Sequence, residues 1–428
     1  MTDSPVWHPF TQHGLGEPIP LVTHAEGAAL HTADGRRIID AISSWWVTTH
    51  GHRHPKIMAA IAAQTEKLDQ IIFAGWTHEA AERVARALTA AMPAELTRVF
   101  FSDSGSTSVE VALKMALGYW ANRGEPRHRI LVLEHGYHGD TIGAMSVGAR
   151  GVFNRPYAPL LFDVGTLPYP APGREQAALD ALEAACRRRP AALILEPLVS
   201  GAGGMLIYSA AALAELRRIC GQYGVLFIAD EVMTGWGRTG TLLACEQAGI
   251  VPDILCLSKG LTGGSLPLAV TMASDAIYAA HLGKDRARMF FHSSSYTANP
   301  IACAAAEANL AIWRDEPVLE RVADLAGRQQ AHLARLADCT GIANARSIGT
   351  IAAMELGGRE GHYLSELGPS LLAFFQARDL LLRPLGNTVY VMPPYCIGAE
   401  DLGRIYDAIG EAADALEDGR LGTPDATK

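Results

Sequence analysis

The sequence predicts an α/β fold: a mainly parallel sheet with helices on both faces, joined to a smaller α+β lobe. Three observations predict it. Through the middle of the chain, short apolar runs rich in β-formers alternate with stretches of helical period. The C-terminal part instead carries long helix-like stretches followed by short strands. The chain, 428 residues and 49% apolar, is too long for one hydrophobic core.

The predicted strands of the large sheet are 98–101, 130–133, 192–195, 225–229 and 254–257. Between some of them lie helices. Residues 109–120 put Val109, Ala112, Leu113, Ala116 and Leu117 on one stripe. Residues 209–223 start at an N-cap, Ser209, and stop at Gly224. Strand–helix–strand alternation calls for parallel strands, and such sheets bind ligands at the carboxyl ends of their strands. Toward the C-terminus, helices are expected over 299–313 and 318–338, then strands near 348–355, 380–383 and 389–392. Residues 29–31 and 37–40 are expected to pair into that lobe. The division expected is 44–305 for the large domain, with 1–43 and 306–428 forming the small one. The tail, 421–428, reads as frayed.

Composition narrows the function. The formal net charge is −9 and charged residues make up 19%. No basic stripe could hold a phosphate backbone, so nucleic acid is not an expected partner. Arg187-Arg188-Arg189 reads as a solvated helix end. Seven cysteines, an odd number with no C-x-x-C spacing, argue against a disulfide framework or zinc ribbon and fit a reducing cytosol. No metal is expected. The polar start, Met1 to Pro5, lacks a charged segment followed by an apolar one, and no apolar run reaches the ~20 residues of a membrane helix. A soluble, cytoplasmic protein is expected.

Four short motifs carry chemistry. Ser102-Asp103-Ser104-Gly105-Ser106-Thr107-Ser108 follows a strand and opens a helix. Free N–H groups and the helix dipole there suit a phosphate, although simple capping explains the same residues. No G-x-x-x-x-G-K-[ST] loop is present, which disfavours nucleotide triphosphate hydrolysis. His135-Gly136-Tyr137-His138-Gly139 follows the next strand and could lay Tyr137 against a planar ring, or merely form a turn with a packed tyrosine. Asp230 ends a strand, where a carboxylate can keep a heteroaromatic nitrogen protonated. Lys259, between Ser258 and Gly260 after the following strand, is poorly explained as a surface charge. Desolvation would lower its pKa and make the amine nucleophilic toward an aldehyde.

The run Ile228-Ala229-Asp230-Glu231-Val232-Met233-Thr234-Gly235-Trp236-Gly237-Arg238-Thr239-Gly240, then Pro252-Asp253-Ile254 and Ser258-Lys259-Gly260, resembles the signature of the class-III aminotransferases. The resemblance covers nearly the whole chain. It implies fold type I of the pyridoxal 5′-phosphate (PLP) enzymes, with a seven-stranded type of sheet, and a homodimer whose active sites lie at the subunit interface. It makes Lys259 the Schiff-base lysine and Asp230 the partner of the pyridine nitrogen. Gly105 and Ser106 would bind the phosphate, Tyr137 would stack near the ring, and Glu196 would be a supporting acid. In His292-Ser293-Ser294-Ser295-Tyr296, Ser294 and Ser295 would reach the phosphate of the other subunit's cofactor and Ser293 the substrate; Ser295 stands where the family often has Thr.

Further motifs resemble one branch of that family, which aminates 8-amino-7-oxononanoate in biotin synthesis. They are Trp7-His8-Pro9-Phe10-Thr11, Ser43-Ser44-Trp45-Trp46, the loop His135 to Thr141, and Arg383-Pro384-Leu385-Gly386-Asn387. The phosphate turn departs from the usual family pattern N-S-G-T-E-A. Trp45 and Trp46 offer walls for the methylenes of the acceptor and Arg383 a fork for its distal carboxylate. Phe10 replaces the Tyr usual in members that take the amine from S-adenosylmethionine. Phe at this position also occurs where lysine is the donor, so both donors stay open, with S-adenosylmethionine preferred. An ω-amino acid:pyruvate aminotransferase shares the cofactor residues but not the Trp45, Trp46 and Arg383 set. A PLP-binding regulator would need a DNA-binding arm that this chain has no basic helix to supply.

Overall fold

A computed structural model describes residues 4–358 and 367–421. Met1 to Asp3, and all of the predicted frayed tail except Leu421, lie outside the described residues. The centre is a seven-stranded sheet. Its spatial order is Arg98–Ser102, Ala269–Ala273, Ile254–Leu257, Leu226–Asp230, Ala192–Leu195, Ile130–Leu133 and Gly165–Leu167. Only Ala269–Ala273 runs antiparallel to its neighbours. Five of the seven strands lie where the sequence predicts them. Gly165–Leu167 is missed because three residues show no period. Ala269–Ala273 is missed because its alanines carry little β signal.

The strands read as continuous apolar runs because both faces are covered. Alternate residues serve opposite layers, as the two-residue strand period requires. Ile130, Val132, Ile194, Ile228 and Ile254 pack with the helix Gly105–Asn122. Leu131, Leu133, Leu193, Leu195, Phe227 and Leu255 pack into the larger core on the other side.

Helix boundaries shift modestly. The predicted 109–120 helix begins earlier, at Gly105, because Ser104 caps it: its Oγ accepts from Thr107 N, and the Thr107 hydroxyl answers the Ser104 N–H. The helix Ala210–Tyr223 is capped by Ser209 and ends at Gly224, φ 61°, as its sequence implies. The predicted strand 348–355 is in fact the second of two. Ile342–Ile348 and Ile351–Leu356 form a tight antiparallel hairpin, joined by Thr388–Val391 on its far side. A four-stranded sheet contains Val22–Glu26, Ala29–Thr32 and Arg37–Asp40, with Leu380–Leu381 pairing parallel to Arg37–Asp40. The N-terminal strands therefore do join a C-terminal one, with Leu381 pairing to Asp40, 341 residues earlier in the sequence. All seven cysteines are unpaired. Among the described residues no helix is long and apolar enough to cross a membrane.

Candidate active site

Asp230 and Lys259 sit at the carboxyl ends of adjacent parallel strands. Asp230 pairs with Cys256, three residues before Lys259. Glu196 follows the next strand and Tyr137 and His138 the one after. The turn Ser104-Gly105-Ser106 follows Arg98–Ser102, whose carboxyl end lies on the same edge. One edge of one sheet thus gathers four sequence-distant motifs. Together Trp46, Ser104, Gly105, Ser106, Tyr137, His138, Gly139, Glu196, Asp230, Val232, Met233 and Lys259 line a slot of about 160 Å³.

Each side chain in the slot is held. Asp230 Oδ2 lies 2.7 Å from His138 Nδ1, and Oδ1 accepts from Val232 N at 3.1 Å. Burial disfavours a charged His138, yet the bond to Asp230 and its charge prevail and raise the imidazole's pKa. Glu196 accepts the N–H groups of Tyr137 and Gly201, both at 3.0 Å. Burial pushes its pKa up to about 7. Lys259 is half-buried with its amine in the slot, and desolvation lowers its pKa against the opposing pull of Asp230 and Glu196. Its Nζ lies 5.0 Å from the Trp46 ring centre. Lys259 has φ 25°, an unfavourable value for a side-chain-bearing residue. Burial also raises the Tyr137 pKa, so its hydroxyl stays protonated.

The slot's donor set fits PLP. An amine whose pKa desolvation lowers can meet an aldehyde, a carboxylate can meet a ring nitrogen, and a helix start can meet a phosphate. The first N–H groups of an α-helix have no partner within it. Ser104 satisfies that of Thr107, leaving those of Gly105 and Ser106 for an anion. Gly105 is needed for space, since a Cβ there would sit 2.7 Å from Val232 Cγ1. Ser106 Oγ also accepts from Asp140 N at 3.1 Å, which ties the phosphate turn to the Tyr137 loop.

A second cavity, about 390 Å³, opens from the slot. It is lined by Pro9, Phe10, Trp45, Trp46, Tyr137, Asp140, Phe153, Ala202, Lys259 and Leu385. Phe10 meets Trp45 edge-on with ring centres 5.5 Å apart, and meets Phe153 at 6.1 Å. Arg383 does not itself line this cavity but touches two residues that do. Its Nη2 donates to Phe10 O at 2.9 Å, and its guanidinium lies 5.6 Å from the Trp45 ring centre. Phe10, read from sequence as bearing on the donor, and Arg383, read as a fork for the acceptor carboxylate, are therefore neighbours through the Phe10 backbone, while the Phe10 ring meets Trp45 and Phe153.

The segment 292–296 is beside the phosphate turn but outside the slot of its own chain. Ser294 Oγ donates to Asp103 Oδ2 at 3.1 Å, the Ser295 carbonyl accepts from Gln70, and Ser293 is exposed. Sequence reasoning assigned no role to His138 or Asp140, although both stand in the motif that contains Tyr137. It also missed Arg238, fully buried, which donates to the carbonyls of Trp46, Thr48 and Pro393. Arg238 stands in the quoted signature run, but nothing in that run signals that its partners are distant carbonyls and the Tyr395 ring, 5.0 Å away.

The sheet, the lysine in the slot and the phosphate turn define a PLP-dependent transferase, and the comparisons narrow the class. The class-III aminotransferase family profile matches residues 11–413, and the chain belongs to that family, whose cofactor is PLP. It is an aminotransferase. Over 424 residues it is 48% identical to the adenosylmethionine-8-amino-7-oxononanoate aminotransferase of Synechococcus elongatus, covering 96% of this chain and 99% of that one. The enzyme so named from Nitratidesulfovibrio vulgaris is 40% identical, over 96% of this chain and 80% of its own. Among solved structures, the one so named from Methanocaldococcus jannaschii superposes with a TM-score of 0.91 at 32% identity, covering 96% and 97% of the two chains. An amine transaminase from an uncultivated Pseudomonas species, solved with PLP bound, also gives 0.91 at 32% identity, covering 98% and 99%.

Proposed function

We propose that this aminotransferase converts 8-amino-7-oxononanoate to 7,8-diaminononanoate in biotin synthesis, with S-adenosylmethionine as amino donor. The observation that carries this reading is the apolar cavity leading from Lys259 past Trp46 and Trp45 to Phe10, with Arg383 beside it. A nine-carbon chain with a carboxylate at its far end suits such a cavity.

When bound, PLP supplies an aldehyde to receive the amine and a ring that stabilises negative charge on the neighbouring carbon. The protein does the rest. Nζ of Lys259, its pKa lowered by desolvation, would anchor the cofactor's aldehyde and would be placed to move a proton at the reacting carbon. Asp230, steadied by His138, holds the proton of the ring nitrogen. Gly105 and Ser106 would hold the phosphate and Tyr137 would face the ring, with Glu196 fixing the Tyr137 backbone. Trp45 and Phe10 contact the aliphatic chain, and Arg383 attracts the carboxylate. Donor and acceptor use one site in turn, so the kinetics are ping-pong.

Ser294 and Ser295 serve the phosphate, and Ser293 the substrate, of a second subunit in a homodimer. Support comes from exposed apolar side chains around them: Phe291 and Tyr296, and Ile72 and Trp76 on a segment bonded to them through Gln70. Residues 44–305 form the large domain, with 1–43 and 306–428 the small one, and the enzyme works in the cytoplasm.

Lysine is the second donor reading, favoured by one observation: Phe10 lacks a hydroxyl. Single-turnover cofactor absorbance with each donor, followed by mass detection of the diamine from 8-amino-7-oxononanoate, decides between them. No diamine with either donor would reject the assignment.

A further inference from the structure

The turn that carries the two tryptophans is held in an unfavourable backbone. Ser43, Ser44 and Trp46 have φ values of 53°, 60° and 67°. Ser44, with ψ −66°, adopts a γ-turn conformation that is rare and strained for any residue with a Cβ. None of these positions is glycine, so something must hold them.

Asp40 provides the strongest restraint. It ends the strand Arg37–Asp40 and is wholly buried. Its Oδ1 accepts from Ser44 N at 2.7 Å and Ile42 N at 3.3 Å. Its Oδ2 accepts from Ser44 Oγ at 2.9 Å and lies 2.8 Å from His52 Nε2. His52 is itself tied by its backbone to Gly27. Beyond the turn, Ser43 Oγ donates to Met392 O at 2.8 Å, and Arg238 binds the Trp46 and Thr48 carbonyls. The same strand aligns Asp40 with Leu381, two residues before Arg383. One strand end thus registers both Trp45 and Arg383.

We propose that Asp40 is a positioning residue for acceptor recognition: its carboxylate locks the strained Ser43–Trp46 turn and so sets the tryptophan wall against which the aliphatic chain lies. This rests on the reading that Trp45 faces the acceptor chain. Asp40 touches neither substrate nor cofactor.

The test separates a lock from general structural support. Asp40→Asn preserves shape and removes charge. The acceptor KM should rise roughly tenfold, the scale of a charge-assisted hydrogen bond, with kcat changed much less. Adding Ser44→Gly, which removes the backbone cost the lock must hold, should restore most of that KM. Affinity for nonanoate, an unreactive chain of similar length, should follow the same pattern by cofactor absorbance. Unchanged KM in Asp40→Asn, equal loss of kcat and kcat/KM, or no restoration by Ser44→Gly overturns the proposal. Should Asp40→Asn not fold, Ser44→Ala and Ser44→Gly decide alone: alanine, which loses the hydroxyl but keeps the strain, must raise KM more than glycine. Failure of the wild type to aminate 8-amino-7-oxononanoate rejects the functional reading instead, while nonanoate still reads the lock.

Discussion

At the scale of single residues, the site depends on groups whose surroundings change their chemistry. Desolvation lowers the pKa of the Lys259 amine, and burial raises that of Glu196 to about 7. Glu196 gives a signed pH effect. Its folded pKa, about 7, lies above the ordinary value of 4.5, so the folded form holds a proton that the unfolded chain has lost. Its contribution is fully present below about pH 4.5 and is lost as pH rises through about 7. The shift corresponds to on the order of 3 kcal/mol. Glu231, also buried and raised to about 7, adds a similar slope. Buried His50, its pKa pushed down to about 3, pulls the other way below about pH 6.5, so the test is the difference: in denaturant unfolding of the cofactor-free protein, stability should fall relative to Glu196→Gln as pH rises from 5 to 7.5. Equal slopes would mean that Glu196 titrates alike in both states.

Arg383 and Phe10 divide the substrate question. Arg383→Ala should weaken use of 8-amino-7-oxononanoate by ~2–5 kcal/mol, with much less change in the donor half-reaction. Equal loss in both would make it a structural arginine, holding the Phe10 carbonyl and little else. Phe10→Tyr adds one hydroxyl at nearly constant volume. In an enzyme specific for S-adenosylmethionine it should raise kcat/KM for that donor by the ~0.5–1.5 kcal/mol of a neutral hydrogen bond. In a lysine enzyme, S-adenosylmethionine gains nothing. Identical rates with both donors would place the ring outside the site.

At the scale of elements, two serine-capped helices make a controlled comparison. Ser209 caps Ala210–Tyr223 away from the slot, and Ser104 caps Gly105–Asn122 at the slot. Replacing either by alanine should lower stability by ~1 kcal/mol. Only Ser104→Ala should also weaken PLP retention, measured by dialysis and cofactor absorbance, because only that cap lines the slot. Similar retention in both variants would reduce Ser104 to a cap. The sequence showed both caps equally well, since capping is local. The capping pattern by itself does not distinguish the two; the Ser102–Ser108 turn was singled out by its glycine and its family resemblance, and the sheet brings it to the slot.

At the scale of the whole molecule, the arrangement of Ser293 to Ser295 outside their own slot predicts sites shared between subunits. Lys259→Ala and Ser295→Asp should each be nearly inactive, the second because a carboxylate repels the phosphate. Mixed and refolded together, they should regain activity, since one site of each hybrid dimer is intact. No recovery from a mixture proven to contain hybrids would mean that each subunit uses its own segment. Borohydride reduction and peptide mapping of the wild type should find the cofactor on Lys259; a label on Lys114 or Lys284 would displace the whole assignment.

The amino-acid sequence alone determined the α/β class, five strands of the large sheet, the Ser209 and Gly224 helix boundaries, and the four motifs that meet at the slot. These depend on period, capping and the chemistry of short runs, which neighbouring residues encode. Only the tertiary structure decided that Asp230 is held by His138, that Arg238 grips the backbone of Trp46 and Thr48, and that Asp40 restrains the strained turn beside them. It also brought Arg383 to the Phe10 carbonyl across most of the chain. For Asp230, Arg238 and Asp40 the physical reason is that a buried polar group must find a partner, and in every case which partner is nearest depends on how the chain is folded, not on distance along it.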